Sequence, residues 1–262
     1  MTTAKLALCS GMLLAAVPSL SSAAVVFADN FESGNLNNWT ATTATPSVLV
    51  IDSTKNVIPA VGTYSAALDN TTDRMHHNLG SEVSGVSAFS YYLYDDGSTT
   101  RVFSEVRGYS GGGGVPNGGT AADGTLAQLL AIGRYNSVTL AGEVFDATKY
   151  QARLTFGSSA GWFNLNGAGT PGRSVGWHKF DIERLADGTT INFYVDSILS
   201  RTFTGADNVS WDTVVLGSAL GTTPTQAWFD GVSVTTDPVP EPSVTGLGLL
   251  AGVALLRRRR AA

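Results

Sequence analysis

The sequence is poor in cysteine and histidine. It contains one cysteine, Cys9, and three histidines. Cys9 lies in an N-terminal apolar segment, so the rest of the chain can form neither a disulfide nor a thiolate centre. His76 and His77 are adjacent and would point to opposite faces of a strand, which is not the spacing of a zinc site. We interpret both, and His178, as ordinary surface or loop residues.

Basic charge is also scarce. The chain has 16 Lys and Arg residues and 21 Asp and Glu residues. Five of the basic residues are Lys5 and the run Arg257–Arg260, which leaves 11 for the rest of the chain. This balance argues against nucleic acid as a partner. An acidic surface of low charge density is compatible with neutral glycans, cationic surfaces or calcium.

No apolar run is long enough to cross a membrane. The N-terminus has Lys5, an apolar run over 6–17, Pro18 and the small residues of 21–24. This order predicts a secretory signal peptide over 1–24. The alternative is an N-terminal membrane anchor, but the run is too short for a hydrocarbon core about 30 Å thick.

The remaining composition favours strands. The chain has 30 glycines, and Thr, Ser, Val, Phe and Tyr make up much of the rest. These residues favour short strands joined by turns over long helices. We expect one all-β domain over 25–236, with a glycine-rich surface loop over 108–124.

The clearest strand pattern lies at 177–203. Asp187-Gly188 and Asp196-Ser197 are turn signals that separate three strands, the first of them the stronger hairpin signal. Within the strands, apolar and polar residues alternate, so one face is core and the other is wet. Other predicted strands are 25–27, 47–52, 64–68, 87–94, 101–109, 126–135, 150–156, 161–165, 213–217 and 227–234.

These segments resemble the laminin-G-like and concanavalin A-like jelly-roll superfamily. The resemblance rests on a strand led by Trp177, the Asp187-Gly188 hairpin, the strand 193–196, the strand 214–217 and the closing strand 227–234. The opening segment 27–34 with Trp39 is similar to the start of such domains. The resemblance implies a two-sheet antiparallel jelly-roll sandwich.

The C-terminal segment 237–262 has three parts in a fixed order. Prolines at 238, 240 and 242 predict a stiff extended linker. An apolar helix is predicted over 243–256, and Arg257, Arg258, Arg259 and Arg260 follow it as a membrane stop on the cytoplasmic side. The helix reaches only about 20 Å at 1.5 Å per residue, so we expect a transient inner-membrane anchor.

This tail resembles the PEP-CTERM sorting signal of Gram-negative bacteria. The motif is Val239, Pro240, Glu241, Pro242 and Ser243, followed by the apolar segment and the arginines. The resemblance implies that an exosortase cleaves near the motif and passes the body to the cell envelope or the extracellular matrix. The alternative is an ordinary membrane tail with a chance Pro-Glu-Pro.

No catalytic motif is evident. Hydrolases of the concanavalin A-like superfamily carry Glu-x-Asp-x-x-Glu on one strand face, and here only Asp181 and Glu183 have part of that spacing. We interpret these two as surface residues. Ser159 sits in a Gly-x-Ser-x-Gly pattern, but no helix signal follows, so an ordinary turn is the better interpretation.

Two ligand sites are predicted. Asp29, Glu32 and Asp230 lie in the first and last strand segments and could hold a structural calcium ion, or could simply cap turns. Tyr92 and Tyr94 share a strand face, and Tyr194 faces away from the core, as sugar-stacking rings do. The alternative is that these rings line a second hydrophobic surface. The tryptophans are predicted in core or edge packing: Trp39, Trp162, Trp177, Trp211 and Trp228.

Together these features predict an exported surface or matrix protein. We expect a non-enzymatic body that binds exopolysaccharide or another matrix component. The alternatives are a glycoside hydrolase or polysaccharide lyase with two converging carboxylates, and a purely structural matrix protein.

Overall fold

The computed structural model describes residues 23–41, 50–55, 62–68, 74–111, 114, 126–156, 159–205, 210–217 and 227–237. Among these residues every regular element is a strand, and the fifteen strands form two antiparallel sheets. Residues Ala23–Asp237 form one compact unit. The predicted all-β class is therefore confirmed.

We call the first of the two the front sheet. Its strands in spatial order are β13 (Ile198–Phe203), β12 (Ile191–Val195), β11 (Gly176–Arg184), β6 (Ser87–Asp95), β15 (Ala227–Thr236), β4 (Ser65–Leu68) and β3 (Val50–Asp52). The first strand, β1 (Ala24–Asp29), also pairs with β15, so the two ends of the body meet.

The second is the back sheet. Its order is β10 (Ser159–Asn164), β9 (Gln151–Phe156), β8 (Leu126–Arg134), β7 (Val102–Tyr109), β14 (Trp211–Leu216), β5 (Met75–Val83) and β2 (Thr40–Ala41). Some consecutive strands are neighbours in one sheet, such as β7 to β10. Others lie in opposite sheets, such as β5 and β6, as in a β-sandwich.

Aromatic side chains from both sheets fill the space between them. In β6, Phe89, Tyr91 and Leu93 are buried and alternate with half-buried residues. The Tyr91 ring stacks on Phe180 at 5.5 Å, and its hydroxyl donates to the carbonyl of Ile132 in the back sheet. Burial raises the pKa of Tyr91 well above its usual range. This hydroxyl ties the two sheets together inside the core.

The central strand of the back sheet, β7, is buried on both of its faces. Every residue of β7 is buried. Glu105 is 2% exposed, and its Oε2 lies 3.0 Å from Nη2 of Arg74 and 2.6 Å from Nη2 of Arg107. Burial by itself works to raise the pKa of Glu105, but Arg107 and Arg74 hold it below its ordinary value. The front sheet differs, because its outer face is half-exposed along β6 and β11.

Most predicted strands match observed ones within one or two residues, but the two-residue β2 was missed, and so was β5. Its sequence, Met-His-His-Asn-Leu-Gly-Ser-Glu-Val, is polar and contains Gly80 at a φ of 75°. The strand exists because it pairs with β14 and β2. It follows that His76 is not a loop residue: it is buried in β5 at 3% exposure.

Both predicted hairpin turns are present, and the turn at Asp196 and Ser197 is the shorter of the two. Asp196 and Ser197 both have positive φ, 50° and 66°, and form the tight two-residue turn between β12 and β13. The loop with Asp187 and Gly188 is longer and runs from 185 to 190, with Gly188 at a φ of 71°. There the Asp187 carboxylate accepts the N–H groups of Thr189 and Thr190.

Several predicted segments lie outside the described residues. They are the signal peptide up to residue 22, the sorting tail 238–262 with its helix over 243–256, and most of the glycine-rich loop. No stretch of the described chain forms a helix with the length and hydrophobicity that crossing a bilayer requires.

Candidate functional site

The candidate site lies on the outer face of the front sheet, on strands β15, β6, β11 and β12. Each strand alternates, so the side chains that do not enter the core stand in rows across the sheet. The pairing places Trp228, Tyr94 and Trp177 in one row. The next row has Asp230, Tyr92 and Lys179.

The first row is aromatic. The ring of Tyr94 lies 5.6 Å from Trp177 and 5.6 Å from Trp228, and it meets both edge to face. The ammonium of Lys55 lies 4.9 Å from the centroid of Tyr94 and 5.4 Å from that of Trp228. These three rings and the lysine form a half-exposed aromatic surface, which we call the aromatic row.

A polar cavity of about 340 Å³ lies farther along the same face. Its lining combines small residues at the bottom with charged and aromatic side chains: Ala88, Ser90, Lys179, Asp181, Glu183, Tyr194 and Ser197. Ser90 faces Asp181 across β6 and β11, and Tyr194 faces Asp181 across β11 and β12. We call this the polar cavity.

Hydrogen bonds hold the groups of the polar cavity in place. Asp181 Oδ1 accepts from the hydroxyl of Ser90 at 2.5 Å and lies 2.8 Å from the ammonium of Lys179. Glu183 Oε2 accepts from the hydroxyl of Tyr194 at 2.6 Å and from the amide of Asn192 at 3.3 Å. The two carboxylates therefore have fixed positions.

Partial burial and the nearby charge change the acidity of Tyr194. Desolvation raises its pKa, and the hydrogen bond to Glu183 together with the negative charge of that carboxylate raises it further. The phenol thus stays protonated and keeps donating to Glu183. The oxygens of Glu183 and Asp181 that face the cavity can accept hydrogen bonds from ligand hydroxyls or amines.

The three tyrosines predicted as ligand-binding all lie on this outer face. Tyr92 and Tyr94 are half-buried on β6, and Tyr194 is half-buried on β12. Of the tryptophans, Trp39 and Trp211 belong to the core as predicted. Trp177 and Trp228 do not, since both stand half-exposed in the aromatic row. Asp181 and Glu183, which the sequence analysis interpreted as surface residues, are half-exposed and line the polar cavity.

The three residues predicted for calcium are each engaged by N–H donors. Asp29 accepts from Phe31 N at 2.8 Å, from Asn38 at 3.1 Å and from the Trp39 indole at 2.9 Å. Glu32 accepts from the backbone N–H groups of residues 63 and 64. Asp230 accepts from the N–H of Gly231 at 2.6 Å. Within the part of the chain that the structure describes, no group of three His, Cys, Asp or Glu side chains is placed to hold a metal ion.

The remaining candidates lie elsewhere. Ser159 begins β10, which pairs with β9, so a strand follows it where a nucleophile elbow needs a helix. His77 stacks on Phe27 at 3.9 Å. His178 is neither a surface nor a loop residue, because its side chain is 7% exposed inside β11.

No family model and no curated protein matches the sequence. Solved structures of similar shape are domain 4 of AbnA, a GH43 extracellular arabinanase from Geobacillus stearothermophilus in complex with arabinotriose, and botulinum neurotoxin receptor-binding domains. The arabinanase domain is 14% identical, with a TM-score of 0.47, over 82% of this chain and 93% of that chain. The type G neurotoxin domain is 7% identical, with a TM-score of 0.49, over 82% of this chain and 48% of that chain.

The type D neurotoxin ligand-binding domain in complex with N-acetylneuraminic acid is 13% identical, with a TM-score of 0.43, over 78% of this chain. This chain spans under half the length of these two neurotoxin structures, 48% in both cases. Identities and TM-scores this low give no information on the ligand.

Proposed function

We propose that the protein binds polysaccharide along the outer face of the front sheet and that it is an exported surface or matrix component. The observation that carries the proposal is the aromatic row of Tyr94, Trp177 and Trp228 beside the polar cavity on one rigid sheet. Rings supply flat apolar surface for the faces of sugars, and fixed polar groups pair with the hydroxyls. The fold itself does not determine this function.

The geometry suits a chain-like ligand. Successive rows on a strand face are about 7 Å apart, at about 3.4 Å per residue. The row of rings and the row of Tyr194 and Asp181 are thus two steps apart along β6 and β11. A ligand of several sugar units can contact both, whereas a single sugar would contact one.

The test is retention of the full-length protein on insoluble and immobilised polysaccharides, both neutral and acidic. Trp177→Ala and Tyr194→Ala should each weaken retention by about tenfold or more, because each removes a ring from the contact surface. Phe145→Ala is the control, since Phe145 is an exposed ring in the loop between β8 and β9. Equal retention of all variants would overturn the proposal.

An enzyme is the second candidate, because Asp181 and Glu183 line one cavity. Glycosidases use two carboxylates that flank the scissile bond. Release of new sugar ends from a retained polysaccharide, abolished in Asp181→Asn and Glu183→Gln, would establish it. Retention without release favours the binding protein, and absence of both favours a structural matrix protein.

We also propose that the body has the laminin-G-like jelly-roll topology and that the tail 237–262 is a PEP-CTERM signal processed by an exosortase. In a host with that enzyme, the C-terminal fragment should be lost from the wild-type protein. Glu241→Ala should prevent that loss. The tail and a bound calcium ion stay predictions until such tests are made.

A further inference from the structure

Three side chains outside the proposed sugar site form a serine–histidine–aspartate relay. The hydroxyl oxygen of Ser174 lies 3.0 Å from Nε2 of His178. Nδ1 of the same ring lies 2.8 Å from Oδ2 of Asp196. These are the contacts that join nucleophile, base and orienting carboxylate in hydrolases that use a serine, where geometry and not chain order defines the site.

The carboxylate is fixed by the tight turn between β12 and β13. Oδ1 of Asp196 accepts the backbone N–H of Lys179 at 2.8 Å, and the N–H of Asp196 donates to the carbonyl of Lys179 at 2.8 Å. Oδ2 therefore remains for the histidine. Because a carboxylate accepts and cannot donate, Nδ1 must carry the proton, and in the neutral ring Nε2 carries the lone pair.

The base is buried and the serine is accessible. His178 is 7% exposed, and its ring packs against Tyr150 at 5.2 Å between centroids. Ser174 is exposed. The residue before it is held in place, since Arg173 N donates to the carbonyl of Thr148 at 2.8 Å and Arg173 Nε donates to Asp95 at 3.0 Å. The serine thus stands at a defined position beside Nε2 of the ring.

One more contact bears on the chemistry. Nε2 of His178 also lies 3.0 Å from the carbonyl oxygen of Ser174. A carbonyl oxygen can only accept, so this contact is a hydrogen bond when Nε2 carries a proton. Apolar surface flanks the relay in sequence: Val175 is 66% exposed, and Ile198, two residues after Asp196, is 41% exposed.

We propose that Ser174, His178 and Asp196 form an acyl-transfer site that hydrolyses exposed carboxylic esters. Ser174 Oγ attacks the ester carbonyl carbon while its proton moves to His178 Nε2. The tetrahedral intermediate expels the alcohol, which takes that proton, and an acyl-serine remains. Water then attacks the acyl group, gives a proton to Nε2 and releases the acid, and Ser174 recovers its proton. The net reaction is ester plus water to acid plus alcohol.

The oxyanion must be stabilised for this step to proceed. In related chemistry the backbone N–H of the residue after the nucleophile contributes to that role. Here that residue is Val175, and no acceptor in the described part of the chain takes its N–H. The proposal does not depend on sugar binding by the front sheet.

The test uses the full-length protein with a fluorophosphonate probe and with p-nitrophenyl acetate. Mass spectrometry should locate the phosphonate adduct on Ser174. Ser174→Ala should abolish the adduct and slow ester hydrolysis by about 100-fold or more, and Asp196→Asn should reduce both by about tenfold or more. Ser159→Ala is the matched control, because it removes the serine of the Gly-x-Ser-x-Gly pattern, and it should change neither.

Ser174→Ala keeps the His178–Asp196 hydrogen bond, so its melting temperature should match that of the wild type. This separates catalysis from a purely structural relay. Absence of an adduct on Ser174, or an unchanged hydrolysis rate in Ser174→Ala, would overturn the proposal. A result of that kind would leave polysaccharide retention by the front sheet unaffected.

Discussion

The hydroxyl of Tyr194 donates to Oε2 of Glu183 at 2.6 Å, from one strand of the front sheet to its neighbour. The two residues are not directly paired, since Tyr194 lies opposite Asp181 and Glu183 opposite Asn192. The bond is therefore diagonal, and it spans the side of the polar cavity. It sets both the position of a ring and the direction of a carboxylate.

Removing this hydroxyl should separate the two roles of Tyr194. Tyr194→Phe keeps the ring and loses the donor to Glu183. We expect polysaccharide retention to fall only a few-fold, less than in Tyr194→Ala, because stacking area is preserved while the carboxylate loses one partner. Affinity measured by isothermal titration or retention will show the ranking. Equal losses in the two variants would mean that the ring itself contributes nothing.

The buried hydroxyl of Tyr91 should matter for stability. Tyr91→Phe leaves the carbonyl of Ile132 without this donor and the N–H of Ser104 without its acceptor. We expect a loss of about 1–3 kcal/mol in the free energy of unfolding, the usual cost of unsatisfied buried polar groups. Urea unfolding followed by fluorescence measures it. No change would show that water replaces the hydroxyl.

Glu105 should make the fold acid-sensitive. Arg107 and Arg74 hold its pKa below the unfolded value despite burial. Its contribution is therefore fully present above the unfolded pKa, about 4.3, and is lost as the pH falls through the lower folded pKa. Glu105→Gln should cost about 3–5 kcal/mol at neutral pH, because it removes a buried carboxylate charge that both arginines contact. Below pH 4.3 the melting temperature of this variant should fall less steeply with pH than that of the wild type. An equally steep fall in both proteins would contradict the prediction.

Alkaline pH should destabilise the protein through its tyrosines. Burial raises the pKa of Tyr91 and Tyr150, and burial and Glu183 raise that of Tyr194. The contribution of these tyrosines to stability is fully present below the unfolded pKa of about 10. It is lost as the pH rises through their higher pKa in the folded protein. Phenolate absorbance should therefore appear together with unfolding. Titration of all tyrosines in a still folded protein would be the contrary result.

Asp29 should stabilise the fold through hydrogen bonds whether or not calcium is present. Its carboxylate accepts three N–H groups, including the indole of Trp39. Asp29→Ala should lower the free energy of unfolding by about 1.5–3 kcal/mol, the range for a hydrogen bond to a charged group. The measurement is melting with calcium and with a chelator. The predicted calcium site would instead be established if the chelator lowered the melting temperature of the wild type and left that of Asp29→Ala unchanged.

Much of the fold could be predicted because strand alternation is a local property. In β6 and β11, apolar and polar residues alternate, and the observed burial follows that alternation. β5 could not be predicted, because its polar residues are held in a strand only by pairing on both sides. Both turns between β11, β12 and β13 were predicted, because Gly and Asp tolerate the positive φ that Gly188 and Asp196 adopt.

The sequence by itself determined the alternating strands, the low cysteine content and the acidic balance, since each depends on residue type or on near neighbours. It also indicated that Tyr92 and Tyr94 share one strand face and that Tyr194 faces away from the core. Only the tertiary structure placed Trp177 and Trp228 beside Tyr94, joined Asp181 and Glu183 in one cavity, and brought Ser174 and Asp196 to the two nitrogens of His178. The physical reason is strand register: residues far apart in the chain become neighbours only when backbone pairing aligns them, and a shift of one residue would send each side chain to the opposite face.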